Sequence, residues 1–413
     1  MSETLLERAS PETAPYRAEF EKRRAATARE PRWLLERRER AMGAFAEAGF
    51  PNTRQEAWRF TSVAAIARAS FAFPPAPPVR VTAPEGVRVL GLGEALQREP
   101  ELLERQLGRQ CPGRTFDALN TALFEDAVVV LVSPEAAVEA PIELRYEAPA
   151  GAAGHPRVLV VCARGSQSAL VERFGGEDGS LTAAVTEVVL EDGAQLQHYR
   201  LQTAGDGAFH VGLAAVEQGR DSRYAAFSVS LGAALSRLDL EQRFAAPGGE
   251  CVLDGLLLAS GRQHSDLHTR IDHAVPHCAS RELVKGVFDG EARGVFHGTI
   301  VVRKDAQKTD AWQVNKNLLL SRRALVTSTP ALEILADDVK CKHGSTTGQL
   351  DPLSLFYLRS RGLGEREARG LLVHGFVAEL LARVGPAALR AELEERVGSW
   401  LPAALGPAGE VRA

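Results

Sequence analysis

The sequence predicts a mainly β protein, a train of short strands wound as a solenoid with helical regions before and after it. Three observations carry that expectation. From Val128 the chain reads as successive strand candidates, VVVLV, IELRY, RVLVVCA, SALVERF, TAAVTEVVL, AQLQHYRLQ, FHVGLAAV, YAAFSVSL and SRLDLEQRF. Turn signals punctuate them at Gly175-Gly176, Asp192-Gly193, Gly205-Asp206-Gly207, Gly219 and Gly248-Gly249. Gly193 and Gly219 lie 26 residues apart, and Gly219 and Gly248 lie 29 apart. No helical pattern separates the strands, which argues against a doubly wound α/β sheet. Sandwich, barrel and solenoid remain. About two hundred residues of strands suit the solenoid best, because each coil buries its neighbour and nothing limits the length.

The elements follow in order. Residues 1–50 read as helix, with Phe20, Trp33, Leu34 and Leu35 as apolar positions among mixed charges, Pro31 as a break, and Gly49-Phe50-Pro51 as the close. A short helix or turn is expected in PNTRQEAWRFTSVAAIARASF. Pro74-Pro75-Ala76-Pro77-Pro78 is then a stiff connector. Asn315-Lys316-Asn317 before Leu318-Leu319-Leu320 suggests a tight corner between coils. Helical spacing returns after Asp351-Pro352, with Leu353, Leu355, Phe356 and Leu358, a stop at Arg361-Gly362, a second run from Glu365 to Leu381 and a third from Pro386 to Leu401. The expected division is 1–73 helical, 74–127 linker and mixed α/β lead-in, 128–350 β-helix core and 351–413 helical.

Composition narrows the classes of function. A net charge of −4 gives no general reason to expect a nucleic-acid partner. No apolar run approaches the roughly 18 residues of a membrane span. The opening MSETLLERASPETAPYRAEF lacks the apolar stretch of a secretory signal, and five scattered cysteines suit a reducing compartment, so a cytoplasmic location is expected. There is no P-loop, dinucleotide fingerprint or nucleophile elbow, so neither a bound nucleotide nor a catalytic residue set is expected.

The segment 306–348 carries the candidate chemistry. Cys341 and His343 stand one residue apart in Lys340-Cys341-Lys342-His343-Gly344. On a strand they share a face, so a thiolate and an imidazole stand side by side. Lys340 and Lys342 would favour the thiolate. Two such donors make half of the roughly four-ligand shell of a transition-metal or iron–sulfur site, and a second chain would have to bring the rest. Asp337-Asp338 reads as a solvated turn. His264, His268, His273 and His277-Cys278 invite a zinc reading, but they match no standard spacing. On a strand His264 and His268 would face away from His273 and His277, so imidazoles at coil surfaces and turns are the simpler account. Cys111, Cys162 and Cys251, like Cys278, read as packing residues.

Residues 285–358, KGVFDGEARGVFHGTIVVRKDAQKTDAWQVNKNLLLSRRALVTSTPALEILADDVKCKHGSTTGQLDPLSLFYL, resemble the SufB/SufD family of iron–sulfur cluster assembly proteins. RQEAWRFT at 54–61, LNTALF at 119–124, and RSRG, Glu367-Ala368 and Gly375-Phe376 extend the resemblance over nearly the whole chain. Within the family the chain is most similar to SufD, since SufB usually has Glu-His-Glu where Cys-x-His-Gly stands here. The resemblance implies a right-handed parallel β-helix that pairs with a SufB-like paralogue, while the C-terminal helices dock a SufC-like ABC-type ATPase. In the family, ATP-driven closing of two such ATPase subunits is thought to twist the interface and expose the assembly site. It implies a scaffold rather than an enzyme, with a transient iron–sulfur cluster shared at the subunit interface. His343 would be the foremost ligand to iron and Cys341 the second. The paralogous SufB-type scaffold subunit is the alternative expectation within the family, and a polysaccharide-acting β-helix and a stand-alone zinc protein are the competing expectations outside it.

Overall fold

The computed structural model describes residues 11–75, 79–111 and 113–404. Residues 76–78 of the proline-rich connector, and those after 404, lie outside the described residues. Helices α1 (Ala14–Thr27) and α2 (Arg32–Ala48) meet at Pro31, which fixes the N-cap of α2. Gly49 ends α2 at φ 65°. After a 3-10 turn at Glu56–Trp58 come α3 (Ala64–Arg68), β1 (Arg80–Thr82), β2 (Val87–Gly91), α4 (Leu92–Arg98), α5 (Pro100–Gln106) and α6 (Thr115–Leu123). Helices α4 and α5, each under two turns long, lie in the stretch expected to be a mixed α/β lead-in, but no local pattern places either one.

The β region then runs without a helix. Its strands are β3 (Ala127–Val132), β4 (Ile142–Ala148), β5 (Ala153–Gly154), β6 (Arg157–Cys162), β7 (Gln167–Gly176), β8 (Leu181–Leu190), β9 (Gln195–Gln202), β10 (Phe209–Gln218), β11 (Arg223–Leu231) and β12 (Leu235–Phe244). They continue through β13 (Glu250–Ala259), β14 (His264–His273), β15 (Ala279–Phe288), β16 (Arg293–Val302), β17 (Asp310–Leu319), β18 (Leu325–Ile334) and β19 (Lys340–Gln349). All nine strand candidates of the sequence are strands. The C-terminal part is α7 (Pro352–Ser360), α8 (Glu365–Leu381) and α9 (Ala387–Ala404).

From β7 onward the chain alternates between two sheets, so every second strand stacks in parallel on the last. One sheet runs β1-β4-β7-β9-β11-β13-β15-β17-β19, the other β18-β16-β14-β12-β10-β8-β6-β3-β2. This is a flattened β-solenoid of about 8 turns. Gln167, Gln195 and Arg223 occupy one register column, so a coil takes about thirty residues, within the usual solenoid range. The loose recurrence of turn glycines is this coil length. At one corner a left-handed residue recurs in six successive coils: Gly165, Gly193, Asp221, Gly248, His277 and Lys308, with φ between 52° and 84°. Glycine adopts that conformation without strain.

Each face has its own apolar layer. Inside the solenoid lie Val130, Val160, Val188, Ala214, Leu240, Ile271 and Ile300 with their partners from the other sheet. The outer face of the nine-stranded sheet is covered by α8 and α9, through Val373, Val377, Leu380 and Leu393 on Leu201, Val229, Leu256 and Val287. The N-terminal helices cover the outer face of the other sheet, with Phe45, Trp58, Ile66 and Leu119 against Leu181, Val211 and Leu235. The antiparallel strands β1 and β2 close one end of the solenoid. The other end, formed by β18 and β19, is open.

Asn315-Lys316-Asn317 is not a corner. It lies in the middle of β17, with Asn315 and Asn317 buried inside the solenoid. Asn317 donates to the Asn315 carbonyl oxygen at 2.6 Å, and Asn315 donates to the Val284 carbonyl at 3.2 Å. Internal partners let amides that resemble turn residues sit in a strand.

Candidate functional site

Cys341 and His343 lie on β19, the last strand of the open coil, and share its inward face. Cys341 stacks in register on Ala311, and His343 on Gln313. Ser345 and Thr347 follow on Asn315 and Asn317. Every one of those β17 partners is buried inside the solenoid. The four β19 side chains therefore continue the interior columns, and no further coil covers them. Cys341 remains half-buried against the interior apolar layer, while His343 is exposed. Their Cα atoms are roughly 7 Å apart along the strand, close enough for two soft donors to reach one metal centre.

The flanking lysines do not act as the sequence suggests. Lys340 and Lys342 alternate to the outer face, where Lys342 lies 3.7 Å from the ring centroid of Trp312. Burial pushes the Cys341 thiol up from its ordinary pKa, with the Ala311 backbone opposing and Asp310 adding to the rise. The thiolate is disfavoured at neutral pH, against the sequence expectation. Charge on the opposite side of a strand does not offset desolvation on this side. Asp338 pairs with Lys308 across the neighbouring turn, as a solvated turn requires.

Beneath His343 the interior is polar. Gln313 donates from Nε2 to Glu282 at 2.8 Å. Burial raises the Glu282 carboxyl to about 7. Asn315 also accepts from Ser328, and Ser345 donates to Ser328 at 2.8 Å. Farther along the axis Glu172 binds His198 at 2.7 Å and pairs with Arg200. Leu253, in the His343 column, separates the two polar groups. Sequence reasoning missed Gln313 and Glu282, because their neighbourhood depends on coil stacking.

The four histidines disperse. His264 and His268 face the 54–61 segment, with His264 2.9 Å from the Thr61 hydroxyl and His268 3.1 Å from Asp266. His268 also stacks on His297, which the sequence reading had not singled out. His273 points inward to Ser280 at 2.9 Å, and His277 holds the left-handed corner. Among the described residues no group of three His, Cys, Asp or Glu side chains could hold a metal ion.

The chain is thus a two-sheet parallel solenoid, helix-covered on both outer faces and ending in an open coil that presents a thiol and an imidazole. Residues 145–376 match the SufBD core domain of the SUF system for FeS cluster assembly, and residues 72–144 match the SufBD N-terminal region. An iron–sulfur cluster assembly SufBD family protein of Synechocystis is 36% identical over 311 residues, covering 72% of this chain and 69% of its own. A SufBD family protein of Mycobacterium leprae is 31% identical, with 83% and 88% covered. The SufD protein of Escherichia coli is 31% identical, with 60% and 59% covered. The chain belongs to the SufBD family of the SUF iron–sulfur cluster assembly system. Among the described residues no helix is long and apolar enough to cross a membrane.

Proposed function

We propose that this chain is the SufD-type subunit of a cytoplasmic scaffold and acts without catalytic turnover or bound nucleotide of its own. It pairs with a SufB-like paralogue through the open coil and offers His343, then Cys341, to a nascent iron–sulfur cluster at that junction. The observation that carries this reading is the inward-facing Cys341/His343 pair on an uncovered terminal strand. Both β18 and β19 have a neighbour on one side only, leaving a row of backbone donors and acceptors for another chain. The cluster is cargo, and two ligands from one chain leave about half its shell to the partner.

The C-terminal region is the proposed dock for a SufC-like ATPase. Helix α7 buries none of its residues, and Leu353, Phe356 and Tyr357 are 77%, 71% and 57% exposed. Such a solvent-facing apolar group fits a partner surface. Helices α8 and α9, in contrast, cover the solenoid, so deleting everything after residue 352 would bare the core.

Anaerobic affinity purification of the tagged chain from its host tests the assembly. Co-elution of an ABC-type ATPase and a SufB-like chain is expected, and a clean monomer would refute it. In that complex His343→Ala is expected to lower cluster formation without dissolving the pair. Phe356→Asp is expected to release the ATPase alone.

A further inference from the structure

The column below His343 holds a buried amide–carboxylate hydrogen bond. Glu282, Gln313 and His343 occupy successive rungs of one register column on β15, β17 and β19. Rungs are roughly 4.8 Å apart, within reach of side-chain hydrogen bonding. Gln313 is 1% exposed and Glu282 3% exposed, so neither amide nor carboxylate turns to solvent. Gln313 Nε2 donates to Glu282 Oε2 at 2.8 Å. Above about pH 7, where Glu282 is ionised, its carboxylate only accepts, so that bond fixes which end of the amide faces inward. Gln313 Oε1 is left buried with no hydrogen-bond partner. The opposite wall is cleared for the amide by Gly298, where a Cβ would stand 2.2 Å from Gln313 Nε2.

We propose that Gln313, held by Glu282, is a positioning residue for His343: its side-chain carbonyl accepts one ring N–H of the imidazole and leaves the other nitrogen bare toward the cluster. This rests on the ligand role proposed for His343. A histidine that binds metal through one nitrogen is normally fixed by a carbonyl or carboxylate on the other, and removing that support costs about 10–100-fold in metal affinity. The Gln313–Glu282 pair supplies such a support from within the same chain, before any partner arrives.

The test is the tautomer of His343, read without a cluster. The full chain, labelled with 15N at pH 8, gives imidazole 15N shifts, assigned by their loss in His343→Gln. One dominant tautomer is expected in the unaltered chain. Gln313→Met keeps the side-chain length without hydrogen-bonding capacity, and should return His343 to the mixture of a free histidine. Glu282→Leu, which frees the amide to reverse, is the second variant and should broaden the tautomer population if the first fails to fold. A free-histidine mixture in the unaltered chain, or an unchanged pattern in a folded variant, overturns the proposal. In complex with the partner, Gln313→Met should weaken iron loading about 10-fold. His343→Ala tests the ligand role separately, so loss of that role and loss of the positioning contact are distinguishable.

Discussion

Arg237 lies over the indole of Trp58, with its guanidinium carbon 3.8 Å from the ring centroid. The same guanidinium donates to Asp266 at 2.9 Å, to Asp239 at 2.8 Å and to the Ala57 carbonyl at 2.7 Å. Thr61 completes the joint by donating to Asp266 at 2.6 Å. The 54–61 segment is thus a clasp between the N-terminal helices and the solenoid. Despite its own burial, Asp266 is held well below the usual carboxylate range by His268, Arg237 and Thr61.

Removing the arginine should leave two shielded carboxylates without their cation. Arg237→Met is expected to destabilise the protein by about 3–5 kcal/mol, the cost usual for breaking a buried ion pair. Urea unfolding measures it, and restoring part of the loss with Asp266→Asn in the same chain would show that the unpaired charge is the cause. A change below 1 kcal/mol would mean that solvent already reaches the joint.

Gly298 should not tolerate a methyl group. Its Cβ would meet Gln313 Nε2 at 2.2 Å and Phe296 Cζ at 2.7 Å. Gly298→Ala is expected to cost about 1–3 kcal/mol by overpacking. Combined with Gln313→Ala the two costs should fall short of their sum, which a double-mutant cycle in thermal or urea unfolding would read.

Glu282 gives the fold a specific pH dependence. Its carboxyl is raised by burial from 4.5 to about 7, with Asp254 adding to the rise and the Gln313 hydrogen bond opposing it. The native state therefore holds this proton more tightly than the unfolded chain. Below pH 4.5 both states are protonated and the group is neutral in effect; as pH rises toward 7 the fold loses stability, on the order of 3 kcal/mol in full. Glu282→Gln should stabilise by about 1–3 kcal/mol at pH 8 and by almost nothing at pH 4. Equal effects at both pH values would remove the carboxyl's charge as the cause.

Cys341 should be a sluggish nucleophile in the isolated chain, because desolvation disfavours its thiolate. Iodoacetamide labelling followed by peptide mass analysis is expected to run slower at pH 7 than for a free cysteine and to accelerate only as pH rises beyond the ordinary thiol range. Faster labelling than a free thiol would show that the flanking lysines govern it after all.

The strands were legible because their apolar residues alternate over lengths that no helix matches, and the turn glycines betrayed the coil. The shared face of Cys341 and His343 also followed from strand period alone. What stayed hidden depends on contacts about thirty residues apart, a separation that local pattern does not encode. Asn315 and Asn317 look like turn residues until stacking supplies their internal partners. Lys340 and Lys342 look like thiolate partners until alternation puts them across the strand on Trp312. The Glu282–Gln313 pair has no motif, since its meaning arises only when two coils lie in register beneath a third.

The two ends of the solenoid are unlike, and that difference bears on the proposed pairing. At the closed end β1 and β2 run antiparallel to the coils they cover, and they are 3 and 5 residues long. Neither offers a long ladder for a further chain to extend. Among the described residues only the β18–β19 end presents full-length strands. A rod with two matching ends would add copies head to tail and grow into a filament, as heterologous contacts do when they fail to close. A rod with one usable end can join a single other rod, mouth to mouth, and growth then stops. If the chain pairs as proposed, the short antiparallel strands at the far end would hold the pairing number to one, acting from the opposite pole of the molecule.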